Sequence, residues 1–209
     1  MSQPFLIERI LHAVDIDTHM TIGRSTPAVD PVLGRDTSGP DRKYNWNYRK
    51  LVGMLGYLQH TTRPDLAMAT HQCARFSANP KLLHERAIKR IYRYLLNSMN
   101  KGIVFQPDFS RGLECHVDAD FAGGWASGDE STPESVLSRA GYVISYAGCP
   151  IHWCSKLESE IALSTTEVEY IAMSMAMRDV LPFLNLMPEL IVFLLKELTE
   201  KQPLFFCTV

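Results

Sequence analysis

The chain has 209 residues, 46% of them hydrophobic and 21% charged, with a formal net charge of −2 and a pI near 6.4. This length holds one large or two small domains with an ample core, and the charge balance gives no global sign of nucleic-acid binding, so any such surface must be local. No basic region precedes an apolar core at the N-terminus, and no run approaches ~18 uninterrupted apolar residues, so neither a signal peptide nor a membrane span is expected.

In chain order, residues 4–14 are predicted to form an amphipathic helix, with Phe5, Ile7, Ile10, Leu11 and Val14 on its apolar side. Residues 23–45 are rich in Gly, Pro, Ser, Thr and Asp and read as a turn-rich connector, extended and mobile. Three helical patterns follow. Residues 46–58 align Leu51, Met54, Leu55 and Leu58, with Gly53 and Gly56 allowing close approach. Pro64 suits the first turn of a helix running to about Phe76. Residues 84–96 separate Ala87, Ile88, Ile91 and Leu95 from a basic stripe of Arg86, Lys89, Arg90 and Arg93. Such a stripe is either a solvated helix face or, since like charges without an interleaved acid repel, a contact for an anionic backbone. Tyr92 and Tyr94 are assigned to packing rather than base stacking.

Residues 101–107 suggest a strand or linker. Leu113 to Asp118 alternate apolar and polar residues with the period of a strand that has one buried face. A turn at Ala119-Asp120 and an acidic, flexible loop over residues 124–138 come next. Residues 140–147 and 150–156 read as a hairpin joined at Gly148-Cys149, with Trp153 in the core. Cys149, Cys154 and His152 lie in that hairpin and are read as core or pleat residues rather than metal ligands. The five cysteines, Cys73, Cys115, Cys149, Cys154 and Cys207, read as reduced thiols. A helix is predicted over residues 165–180, a second over 188–199 beyond interruptions at Pro182 and Pro188, and a last strand over 204–209.

Two carboxylates stand out. Ser164 and Glu167 have the spacing of a capping box, which leaves Glu169 at the head of a stripe containing Ala172, Met173, Ala176 and Val180. A carboxylate facing a core is costly unless compensated. A metal ion shared with Asp118 would compensate it; the alternative is a partly exposed Glu interacting with the helix dipole.

Six segments then follow in order: Tyr48-Arg-Lys-Leu-Val-Gly-Met-Leu-Gly-Tyr-Leu58, Thr62-Arg-Pro-Asp65, Ala87-Ile-Lys-Arg-Ile-Tyr-Arg-Tyr-Leu95, Asp118-Ala-Asp-Phe-Ala-Gly123, Ser138-Arg-Ala-Gly-Tyr142 and Ala162-Leu-Ser-Thr-Thr-Glu-Val-Glu-Tyr170. Together they resemble the C-terminal part of a copia-type LTR retrotransposon Pol polyprotein, from the end of reverse transcriptase into RNase H. The resemblance implies an α/β chain: the end of the polymerase thumb (1–22), a linker (23–45), a helical connection (46–108) and a truncated RNase H-like domain (109–209) with helices on a mixed sheet. It implies no polymerase site in this chain, because the palm strands and their aspartates lie upstream.

The resemblance also implies hydrolysis of the RNA strand of RNA–DNA hybrids with two Mg²⁺ or Mn²⁺ ions. Asp118 and Glu169 would be metal ligands, with Asp120 structural. The third carboxylate of the family lies in an Asp-Asn pair after the fourth strand, and this chain ends near there. The expectation is therefore half an active site, weak or inactive, with weak metal binding. The alternatives are a non-catalytic nucleic-acid-binding module using Arg86, Lys89, Arg90 and Arg93, or an inert remnant of a decayed element. The implied partners are RNA–DNA hybrid and the upstream polymerase portion. The implied location is intracellular, in a virus-like particle for the parent family.

Overall fold

A computed structural model describes residues 1–14, 22–28, 33–125 and 133–201. Its order is α1 (Pro4–His12), α2 (Tyr48–Thr61), a 3₁₀ turn (Pro64–Leu66), α3 (Ala67–Ala74), α4 (Leu82–Leu96), β1 (Leu113–Asp120), a short 3₁₀ turn (Pro133–Val136), β2 (Arg139–Tyr146), β3 (Cys149–Leu157) and α5 (Thr165–Lys201). The predicted strand over residues 204–209 lies outside the described residues, and with it any parallel pairing that would make the sheet mixed. The described strands form an antiparallel meander, β1-β2-β3.

Helices α1 to α4 share one core. Ile7, Ile10 and Val14 join Leu51, Leu55, Leu58, Leu66, Ile88, Ile91 and Leu95 in it, so α1 packs with the connection helices instead of standing apart. Phe5, expected on the apolar side, is 80% exposed. Helix α2 starts at an Asn47 cap whose Oδ1 accepts from the Lys50 amide at 2.9 Å. Gly53 and Gly56 do not serve close approach: a Cβ at either would meet no neighbouring atom within 4 Å. Tyr92 and Tyr94 are buried, as packing residues should be.

The Thr62-Arg-Pro-Asp65 segment is a clamp. Arg63 is 1% exposed, and it donates from Nε and Nη2 to the Asp65 carboxylate at 2.9 and 2.8 Å. It also donates to the Ser98 carbonyl at 2.9 Å and the Ser98 hydroxyl at 2.8 Å. The Tyr94 hydroxyl donates to Asp65 at 2.6 Å. These bonds fasten the α2–α3 corner to the end of α4, and they satisfy a cation that would otherwise be costly to bury.

The connector is packed rather than free. Gly34 and Pro40 carbonyls accept from His84 Nε2 at 2.8 Å and the Leu82 amide at 2.9 Å. The Lys43 and Tyr44 amides both donate to Glu85 at 3.1 Å. Buried polar groups on α4 thus provide the ladder that an extended segment lacks internally.

Strand β1 runs two residues past Asp118, so Asp120 belongs to the strand, opposite Arg139, and not to a turn. The hairpin turn is Ala147-Gly148, with φ of +51° and +74°, the positive pair of a type I′ turn. Residues 101–107 form no strand. Helix α5 is continuous through Pro182 and Pro188, contrary to the predicted break. Each proline removes one i→i−4 bond, to the carbonyls of Arg178 and Leu184, on turns that are solvent-exposed, where water can satisfy those carbonyls. No helix of the described residues is long and apolar enough to cross a membrane.

Candidate functional site

Pleat and register decide where the strand carboxylate lies. Successive side chains alternate between faces, and directly paired residues share one. His116 pairs with Val143, which pairs with Trp153; Asp118 pairs with Gly141, which pairs with Ser155. That face turns toward the helical cluster. Trp153 donates from Nε1 to the Gln59 carbonyl at 2.7 Å. Asp118 is exposed and borders a cavity of about 370 Å³ whose other walls include Asp65, Met68, His116 and Trp153.

Helix α5 covers the opposite face. Tyr142 and Ile144 pack with Ala176 and Val180, flanked by Cys115, Cys154 and Phe183. The Tyr142 hydroxyl donates to the Asp179 carboxylate, and His152 Nε2 lies 3.2 Å from the same oxygen. Burial, reinforced by Asp179, pushes the Tyr142 phenol above its ordinary range.

The buried stripe of α5 is Val168, Ala172, Ala176 and Val180, which keeps Ala172, Ala176 and Val180 of the predicted stripe and has Val168 in place of Glu169 and Met173. Glu169 is exposed and Met173 is 48% exposed, so Glu169 carries no core desolvation that a metal would have to offset. The capping reading of its neighbours is better met. Ser164 Oγ accepts from the Glu167 amide at 3.2 Å, and the Glu167 carboxylate accepts from the Leu163 amide at 2.7 Å, one residue earlier than the standard box.

Asp118 therefore faces the helical cluster, while Glu169 sits on the helix that covers the other face. Neither cavity at the sheet is bordered by both. Among the described residues, no group of three or more His, Cys, Asp and Glu side chains could hold a metal ion. The described residues do not bring together the several converging oxygen ligands that a two-metal centre needs.

The basic stripe of α4 is also different in detail. Arg86 is exposed. Lys89 pairs with Glu85 at 3.4 Å, and its ammonium lies 3.3 Å from the centre of the Tyr44 ring. Arg90 donates to Thr26 Oγ1 at 2.6 Å, and the Arg93 carbonyl accepts from the Arg24 amide at 3.2 Å. The stripe does have an acid beside it: Glu85, 1% exposed, which is also 3.7 Å from Arg42. Connector residues Arg24, Arg42 and Lys43 lie along the same side of α4 and add to its positive charge.

Two sets of residues were not singled out from the sequence. Arg63 lies in a noted motif, but nothing in its spacing announces burial. Arg75 and Arg139 come from separate segments and meet only in the folded chain. Their field shows at His71, whose pKa is lowered to about 4 by burial, then by Arg139, Arg75 and Lys156. The thiols fit their reading as reduced cysteines: Cys73, Cys115, Cys149 and Cys154 are free, and burial pushes the Cys73 thiol up to about 12.

Comparison with known proteins gives several relatives. The chain is 36% identical over 135 residues to the secreted RxLR effector protein 161 of Plasmopara viticola, covering 65% of this chain and 89% of that one. It is 31% identical over 160 residues to the retrovirus-related Pol polyprotein from transposon RE1 of Arabidopsis thaliana, covering 77% of this chain and 10% of the polyprotein. It is 38% identical over 125 residues to the corresponding polyprotein from transposon TNT 1-94 of Nicotiana tabacum, covering 60% of this chain and 9% of that one. The chain thus spans about a tenth of the length of these Pol relatives. No family model and no solved structure matches it.

Proposed function

The chain belongs to the family of retrovirus-related Pol polyproteins from copia-type transposons, and from that premise we propose that it binds nucleic acid without cleaving it. The segment it corresponds to is the reverse transcriptase connection with part of RNase H. In the parent protein that region hydrolyses the RNA strand of an RNA–DNA hybrid with two divalent ions. The observation that carries the non-cleaving reading is the separation of Asp118, facing the helical cluster, from Glu169, on the helix over the opposite face.

One carboxylate presented alone holds Mg²⁺ weakly, because a small hard cation needs several oxygens to replace its water shell. The binding surface is the side of α4 with Arg86, Lys89, Arg90 and Arg93, widened by connector cations. Support for it is the alignment of these charges on one side of α4, with Arg86 exposed and Lys89, Arg90 and Arg93 half-buried. The effector relative is made up mostly of this same portion, which supports the view that the portion exists as a chain of its own. Its name concerns secretion, and no observation here extends that to this chain.

The test is cleavage of a labelled RNA–DNA hybrid with Mg²⁺ and with Mn²⁺, comparing the chain with its Asp118→Asn variant. The expected result is equal, background-level signal in both. Cleavage that disappears in the variant would overturn the non-cleaving reading. In parallel, hybrid binding at low salt should weaken steeply with added salt and fall in an Arg90→Ala, Arg93→Ala double variant. Absence of any binding at low salt would remove the nucleic-acid reading as well.

A further inference from the structure

Helix α5 has more apolar surface than the sheet covers. Its inward stripe, Val168, Ala172, Ala176 and Val180, is buried. The opposite side is apolar too: Tyr170 is 67% exposed, Met173 48%, Met177 47%, Leu181 54% and Leu184 49%. These positions recur at i, i+3, i+7, i+11 and i+14, so they lie in one line along the helix. Leu163, 89% exposed just before the first turn, extends that line by the seven-residue step that separates Tyr170, Met177 and Leu184. A helix face turned to water ordinarily carries charge. From Tyr170 to Pro188 the only charged residues are Arg178 and Asp179, and Asp179 is engaged on the sheet side by Tyr142 and His152.

The charges beside this face select its partner. From Thr165 to Leu190 of α5, Glu167, Glu169, Asp179 and Glu189 outnumber Arg178, a balance that repels an anionic lipid or nucleic-acid surface. It suits a second α5. Run antiparallel about a two-fold axis between Met173 and Ser174, two copies set Tyr170 against Met177, Leu163 against Leu184, and Met173 against the small Ser174. Arg178 and Glu167 lie on one flank of the helix, since both border the cavity of about 660 Å³ beside its head. A two-fold axis returns each flank to itself. It therefore brings Arg178 of each copy to within roughly 3 Å, two residues of helical rise, of the level of Glu167 in the other, and the flank charges pair. The six apolar side chains expose on the order of 600 Å² per copy, so their pairing covers roughly 1,200 Å², the lower end for a specific protein–protein contact.

We infer that the outer face of α5, formed by Leu163, Tyr170, Met173, Met177, Leu181 and Leu184, is a self-association surface on which a second copy of this chain docks antiparallel. The inward stripe stays on its own sheet, so each copy keeps its fold and the pair adds a helix–helix layer between two sheets. Each copy presents the same patch to the other, which closes the assembly at two. The surface is separate from the basic side of α4 and does not depend on nucleic-acid binding there.

Sedimentation equilibrium of the full chain from about 1 to 100 μM tests this. The mass should rise from 23.6 kDa toward twice that value. Met177→Glu sets a carboxylate against Tyr170 of the other copy and should raise the dissociation constant at least about tenfold. Phe5→Glu, at an exposed residue of α1, should leave it unchanged. A monomeric mass throughout would overturn the inference, whether the chain's own residues or water cover the face. So would association that Met177→Glu leaves intact, which would place it elsewhere, or that Phe5→Glu weakens equally, which would mark it as general adhesion. Oxidative cross-linking of Ser174→Cys reads the register. Ser174 is exposed and meets its own copy across the axis, so this variant should give covalent dimer beyond the wild-type level while Leu190→Cys gives none. A sedimenting dimer in which Ser174→Cys fails to cross-link would overturn the antiparallel arrangement.

Discussion

The helical cluster and the sheet are built to different depths. The cluster buries fifteen hydrophobic side chains in one connected core, whereas the connected core between the sheet and α5 has four among the described residues, Tyr142, Ile144, Ala176 and Val180, with Val168 and Ala172 also buried on α5. The cluster is also pinned by the buried Arg63–Asp65 clamp. The sheet is attached to it by few polar links, such as Trp153 to Gln59 and Arg139 to His71. Apolar burial sets most of a domain's stability, so the motif-bearing sheet should open before the helices do. Asp118 and Glu169 thus lie on the weaker half.

The largest effect should come from the clamp. Arg63→Ala leaves Asp65 without its cation and the Ser98 carbonyl without its donor, at a cost of about 3 kcal/mol or more. Urea denaturation should show the loss, and a change below about 1 kcal/mol would mean that the clamp does not hold the cluster. Next come core truncations in each half. Leu58→Ala and Ile144→Ala should each cost about 2–5 kcal/mol. Hydrogen exchange should distinguish them: Ile144→Ala should deprotect β1–β3 and α5 while amides of α2 and α4 stay slow. Uniform deprotection in both variants would mean that the halves unfold as one.

A pH effect should be smaller and should lie at the junction. His71 has a folded pKa near 4 against an ordinary 6.5, so the unfolded chain takes up the proton first. Stability is therefore full above pH 6.5 and declines as pH falls toward 4. Solvent screening of this partly exposed ring reduces the full linkage value to about 1–2 kcal/mol. In His71→Gln the decline between pH 6.5 and 4 should flatten. An unchanged slope would assign it to other groups. Asp65, held below its ordinary pKa by Arg63 and Tyr94 against the opposing effect of burial, contributes a separate loss only below about pH 4.

The smallest effects have opposite chemistry in the two halves. Gly53→Ala on the exposed side of α2 should stabilise by up to about 1 kcal/mol through helix propensity. Ala147→Gly in the hairpin should stabilise by about 0.5–1 kcal/mol by relieving a positive φ. Melting temperatures that fall for both would contradict the backbone argument.

Much of this architecture is legible in the chain. The apolar phases of α2 and α4, the β2–β3 hairpin and the Ser164 cap follow from local spacing, which the fold leaves intact. Ala172, Ala176 and Val180 of α5 were read correctly, whereas Met173 was taken for Val168 because both are plausible core residues until the sheet selects a side. The prolines were misread because the rule against them assumes that the lost hydrogen bond has no substitute. The connector looked mobile because its stabilising acceptors and donors, Glu85 and His84, lie forty or more residues away in sequence. The proximity of Arg75 and Arg139 is legible nowhere in the sequence, since only tertiary packing brings their segments together. The same holds for Asp118 and Glu169, which motif spacing ties together and the two faces of a sheet hold apart.

Strand β1 pairs only with β2 among the described residues, so among them no strand covers its other edge. An open ladder can recruit a strand from another molecule, and charged residues along it are a standard deterrent. His116, Asp118 and Asp120 alternate along β1 on its more polar face, which places two carboxylates where such a deterrent would act. Neutralising Asp118 to asparagine should lower the concentration at which the protein precipitates.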